Sequence, residues 1–116
     1  LYRNDPTQTV AVVVAGDFNV CSRKTKDLGE AYADLQKIFM PLVDVFGPSL
    51  SGGDSKPTRR PTRKLLGWKK SRAASALDHA FVSGVDLVDA KVVDLTCQDG
   101  TIVSDHLGLE FTLQIP

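Results

Sequence analysis

The residues of this chain that could do chemistry fall in three short groups. They are Asp17 and Asn19 in GDFN (16–19), Asp78 in LDH (77–79), and Asp105 and His106 in SDH (104–106). In an extended chain Asp17 and Asn19 project to one side and Phe18 to the other, into packing. Gly16 allows the backbone to bend where the preceding strand ends. Asp17 offers a charged oxygen to a hard cation or an attacking water. Asn19 offers an N–H to a phosphoryl oxygen without adding negative charge. The structural alternative for GDFN is an Asx turn that closes the strand. An imidazole acting on a phosphate oxygen or a proton in transit needs a partner to set its tautomer and stabilise its cation. Asp78 can be that partner for His106.

These groups must be positioned by a small set of elements. VAVVVA (10–15) is a short apolar, β-branched run and predicts a strand buried on both faces. LGEAYADLQKIFM (28–40) places Leu28, Ala31, Leu35, Ile38 and Phe39 near helical spacing and meets Pro41, so a helix covering a sheet face should stop there. LDHAFVS (77–83) predicts a strand that turns near Ser83-Gly84, and LVDAKVVDL (87–95) predicts another, bounded by CQDG. In LGLEFTLQI the residues Leu107, Leu109, Phe111, Leu113 and Ile115 share one face, with Glu110, Thr112 and Gln114 on the other. Strand, helix, long loop and antiparallel strands predict an α/β layered domain. If LDH and SDH both lie beside Asp17, the strands that follow them run antiparallel to the first strand, and the connectivity permits all three groups to converge.

The chain has 116 residues, enough for one small domain, and no apolar run approaches the roughly 18 residues of a membrane span. Its opening LYRNDPTQT is polar and lacks the apolar core of a secretory signal, and with no methionine at its start it is expected to begin at a processing or fragment boundary. Cys21 and Cys97 have no metal-ligand spacing and read as unpaired thiols, which favours a reducing, intracellular compartment. The net charge of zero conceals an asymmetry. Residues 56–72 hold eight basic and no acidic side chains, leaving six basic and fourteen acidic elsewhere. This segment lies in a Gly, Pro and Ser-rich stretch (47–76) too long for a routine connection, hence functional or mobile. It suits a polyanionic partner, with a solvated loop balancing nearby acids as the alternative.

In this order, GDFN (16–19), LDHAFVS (77–83) and SDHLGL (104–109) resemble the C-terminal half of the endonuclease/exonuclease/phosphatase superfamily, from Val10 onward. That family includes DNase I-like nucleases, abasic-site endonucleases, inositol-polyphosphate 5-phosphatases and neutral sphingomyelinases. The fold class implied is α/β, half of a four-layer α/β sandwich with a mostly antiparallel sheet. The resemblance makes Asp17 the aspartate that activates water or contacts metal, and Asn19 the asparagine that steadies the scissile phosphate. Asp78 becomes the partner of the catalytic histidine, Asp105 a metal or water contact, and His106 the group that stabilises the phosphorane. Asp17, Asn19 and Asp105 are the metal contacts implied, with Mg²⁺ or Mn²⁺ as cofactor, and the reaction is hydrolysis of a phosphoester. The family's domain runs to roughly 200–250 residues. Its N-terminal half, with the main metal-binding Glu, has no counterpart here, so that half is an expected partner and this piece alone should catalyse little. Residues 1–9 read as the segment connecting the two.

The basic segment tips the reading toward a nuclease, with nucleic acid as partner and Arg59, Arg60, Arg63, Lys64 and Trp68 as substrate contacts. Trp68 could equally stack on a base or anchor the loop. A lipid or inositol phosphate enzyme of the same superfamily, or a non-catalytic binding module, are the rivals. His79, next to Asp78, faces the other way in an extended strand and reads as a packing or surface residue. Ser104-Asp105-His106 is no hydrolase triad, because neighbours in an extended chain cannot converge.

Overall fold

The structure is a computed structural model that describes residues 10–23, 29–48, 50, 55–60 and 75–115. Arg63, Lys64, Trp68 and Leu28 lie outside the described residues. Five strands and one helix are seen among those described: β1 (Val12–Asp17), α1 (Gly29–Phe39), β2 (Val43–Asp44), β3 (Asp78–Ser83), β4 (Asp86–Val93) and β5 (Gly108–Gln114). The described residues form a small α+β fold whose pairings β1–β3, β2–β3 and β4–β5 are antiparallel.

Strand β3 is the centre of a three-stranded sheet of order β1-β3-β2, and β4 and β5 form a second, two-stranded sheet. His79, Ala80, Phe81 and Val82 are all buried because β3 has a neighbour on each side and cover on each face. The period of two in a strand separates the two environments. Ala80 and Val82 join Val45 and Phe46 in a core closed by Ala90, Val92, Leu109, Phe111 and Leu113 of the second sheet. Phe81 faces the helix instead, stacked on Phe39 at 4.7 Å between centroids.

Helix α1 carries Glu30 in its first turn and Lys37 in its last, each suited to the helix dipole, and ends just before Met40-Pro41. Its inward stripe is Tyr32, Leu35 and Phe39, whereas Ile38 is 76% exposed and Ala31 also faces out. Leu35 and Phe39 are thus where the spacing expects them, while Tyr32 takes the inward place expected of Ala31 and Ile38 drops out. Tyr32 belongs to it despite its polar end, because its hydroxyl finds a buried acceptor in Asp44.

The strand 10–15 differs from expectation too. It starts at Val12, and Val10 and Val13 are 40% and 47% exposed. Val13 pairs with Val82 and so shares the face of β3 that the second sheet covers. At the outer strand β1 that cover has run out among the described residues. The two-residue β2 has no signal in the residue pattern. It forms because Val43 and Asp44 pair with Val82 and Phe81, completing β3's second edge. On β5 the alternation holds from Leu109 to Leu113, while Ile115 lies beyond the strand and is exposed. The β3–β4 turn depends on Gly84 at φ 69°, where a side chain would meet the Val10 carbonyl.

Candidate active site

Asp17 and Asp78 are the last register partners of β1 and β3, so both carboxylates leave the same face of the sheet at the same end. His106 comes to them from the segment before β5. Its Nδ1–H donates to Asp78 Oδ2 at 2.8 Å, and its Nε2 lies 3.9 Å from Asp17 Oδ2. Ligand atoms of Asp17, Asp78 and His106 all fall within 4.8 Å of one another. The side chains open outward in order, Asp78 being 14% exposed, His106 28% and Asp17 52%. The orienting carboxylate is thus enclosed, and the groups that could meet a ligand are accessible.

The GDFN corner departs from an extended chain after Asp17. Asn19 has φ 54°, a left-handed conformation that asparagine tolerates, and its N–H donates to Asp17 Oδ1 at 2.8 Å. This is the Asx turn. It fixes the Asp17 carboxylate from below and means that the simple side-chain alternation does not reach Asn19, which is exposed. Gly16, at φ 149°, takes a conformation that side chains disfavour, and so lets the strand turn into this corner. Phe18 points the opposite way and packs edge-on against Phe39 and Phe81, anchoring the corner to the helix face.

The segment 58–60 holds the His106 loop in place. Thr58 accepts at its carbonyl from Leu107 N–H at 2.7 Å, and its own N–H donates to Ser75 at 2.9 Å. Arg60 N–H donates to the Asp105 carbonyl at 2.8 Å, and Ser104 Oγ accepts from His106 N–H at 3.1 Å. The Thr58 hydroxyl reaches Asp78 Oδ2 at 2.7 Å. Nothing in KPTRRPTRK distinguishes Thr58 from Thr62, so this pairing has no signature in the sequence.

Asp105 is near the cluster without belonging to it. Its carboxylate pairs with Arg59 Nε at 3.2 Å. Arg60 likewise pairs with Asp94 and donates to Thr96 Oγ1 at 3.0 Å. Thr96 hydroxyl and backbone hydrogen bonds, followed by the Arg60 charge, hold Asp94 below the usual carboxylate range. Both described arginines of the basic segment thus already have acidic partners within the chain.

The hydrogen bond to Asp78 raises the His106 pKa, against a smaller opposing effect of burial, and the charges of Asp78, Asp105 and Asp17 add to it. The imidazolium form is favoured. It can neutralise an oxyanion or give up a proton from Nε2, and an oxygen standing to one side of the 3.9 Å gap can contact both Nε2 and Asp17.

His79 is a packing residue, fully buried on the other side of β3. Its Nε2–H donates to the Val20 carbonyl at 2.6 Å and its Nδ1 lies 2.9 Å from Asp44 Oδ2, so both nitrogens face oxygen acceptors, an arrangement that favours the protonated ring. Asp44 also accepts from Tyr32 Oη–H at 2.7 Å and from the backbone of Phe46 and Ala80. A lone acid inside LVDVF is the available sign that a buried partner is needed.

No protein family, no curated protein and no solved structure matches the chain.

Proposed function

We propose that this chain is the C-terminal catalytic half of a metal-dependent phosphodiester hydrolase, a nuclease in preference to a lipid or inositol phosphate enzyme. The observation that carries the reading is His106 held through Nδ1 by Asp78, with Nε2 turned toward the exposed Asp17. In the reaction Asp17 orients or deprotonates the attacking water, and the His106 imidazolium stabilises charge on the phosphoryl oxygens. Asn19, beside Asp17, steadies a non-bridging oxygen.

Mg²⁺ takes oxygen ligands and keeps several of its waters, and a single carboxylate with neighbouring carbonyl oxygens suits it. Asp17 and Asn19 provide such donors. Asp105, whose Oδ2 pairs with Arg59, is the further acidic donor of the resemblance, and the remaining ligands would come from the other half. When bound, the ion offsets developing charge on the phosphate. The two described sheets then make one half of a four-layer sandwich, and the uncovered Val10 and Val13 are where further chain would pack. Nucleic acid is the preferred substrate because residues 56–72 are so basic.

The test is Mg²⁺-dependent nicking of supercoiled DNA, and cleavage of RNA and inositol phosphates, by the product of the full reading frame. Nucleic-acid cleavage that falls about 10²- to 10³-fold in His106→Ala is expected. Head-group or phosphate release alone would move the assignment to the lipid or inositol enzymes. A folded protein inactive on every phosphoester would leave a binding module.

A further inference from the structure

We propose that Thr58 is the positioning residue of this site, fixing the one carboxylate oxygen that orients His106. Its side chain has no exposed surface. A threonine hydroxyl has one proton and two acceptor positions. Here both acceptor positions are used, by the backbone N–H groups of Leu77 at 3.0 Å and Asp78 at 3.1 Å. The single proton therefore has one destination, Asp78 Oδ2 at 2.7 Å.

That oxygen is the one His106 uses, at 2.8 Å. A carboxylate oxygen has two lone pairs in its plane, and with Thr58 on one the other is aimed at His106 Nδ1. Two consequences follow for the imidazole. Asp78 cannot swing to offer a different oxygen without giving up a buried hydrogen bond. With the Asp78 carboxylate accepting at Oδ2 from both groups, Nδ1 is the donor nitrogen, and Nε2 is the nitrogen left to face Asp17 and a ligand. Through its carbonyl the same residue holds Leu107, next to His106. One threonine thus sets both the acceptor and the backbone of the histidine.

The role in turnover rests on the phosphodiesterase reading, but the geometry can be tested without it. In the unaltered protein, proton NMR should show a slowly exchanging Thr58 hydroxyl proton with a cross-relaxation peak to His106 Nδ1–H, since both point at one oxygen. Thr58→Ser should keep the protected Nδ1–H resonance, and Thr58→Val, similar in shape but without the hydroxyl, should lose it or shift it upfield. In turnover, Thr58→Val should lower kcat about 100-fold with KM nearly unchanged, and Thr58→Ser should restore most of it. Should the valine variant not fold, the cross-peak and the serine variant decide. A missing cross-peak, or a folded Thr58→Val with the Nδ1–H signal unaltered, overturns the proposal. Intact NMR signatures in a protein without phosphoesterase activity would sink the functional reading and leave Thr58's role standing.

Discussion

Asp17 and Asp78 face each other across the β1–β3 register, and His106 sits against both, 2.8 Å from Asp78 and 3.9 Å from Asp17. Like charges directly opposite on neighbouring strands are destabilising, and a protonated His106 between them offsets that repulsion. Replacing Asp17 by Asn should therefore stabilise the fold by up to about 1 kcal/mol when His106 is already Ala, and by less when His106 is present. Urea melts of the four variants measure the coupling. Equal effects in both backgrounds would mean that the imidazole does not shield the pair.

Asp78 is the first cause of the raised His106 pKa. Asp78→Asn should bring that pKa down, toward or below the ordinary 6.5, with the charges of Asp105 and Asp17 leaving a residual upward push. Chemical-shift titration of the His106 ring reads this directly. A pKa that stays where it was would place the cause elsewhere.

The His79 pKa is raised in the fold: burial pulls it down, and the hydrogen bonds to Asp44 and Val20 with the charges of Asp44 and Asp78 outweigh that. A folded pKa above the unfolded value stabilises fully below the unfolded pKa, and the gain disappears as pH rises through the folded pKa. His106 acts in the same direction. Stability should decline as pH climbs from about 6.5 through the raised values, and His79→Gln should remove the buried histidine's share of that slope. A pH-independent melting temperature over this window contradicts it. Asp44→Ala, which takes from the buried His79 ring and Tyr32 hydroxyl their shared acceptor, should cost about 2–5 kcal/mol.

Phe18 joins the site corner to the helix through its ring contacts with Phe39 and Phe81. Phe18→Ala should cost toward the lower end of about 3–5 kcal/mol, because the ring is only half-buried, whereas Phe81→Ala, with no exposed surface, should reach the upper end. Thermal or denaturant melts rank the two. The reverse order would show that the corner, rather than β3, carries the packing.

Arg59 and Arg60 already pair with Asp105 and Asp94. Neutralising Arg63, Lys64, Lys69 and Lys70 should therefore flatten the salt dependence of nucleic-acid binding, by roughly 0.9 in log–log slope for each duplex DNA phosphate that is no longer neutralised. Neutralising Arg60 should change it less. An unchanged slope in the first set would remove the reason for preferring nucleic acid as substrate.

The positions of β3, β4 and β5, and the stop of α1 before Pro41, can be read from sequence because each depends on neighbours along the chain: alternation in a strand, and a proline that cannot continue a helix. The packing direction of Phe18 and the opposite facing of Asp78 and His79 follow from the same local period. Convergence of Asp17 with Asp78 and His106 is expected from strand direction and the motif resemblance, but pairing register is what places Asp17 opposite Asp78. The remaining features have no local signal. Thr58, one of two threonines in like surroundings, becomes a partner of Asp78 only when segment 58–60 docks between Ser75 and Leu107. Asp105 bonds Arg59 across 46 residues of chain, and Asp44, Tyr32 and His79 become a buried network only once helix and sheet close over them. Local geometry orients the side chains of a regular strand such as β3, while tertiary packing decides which polar atoms give up their water and have to find one another.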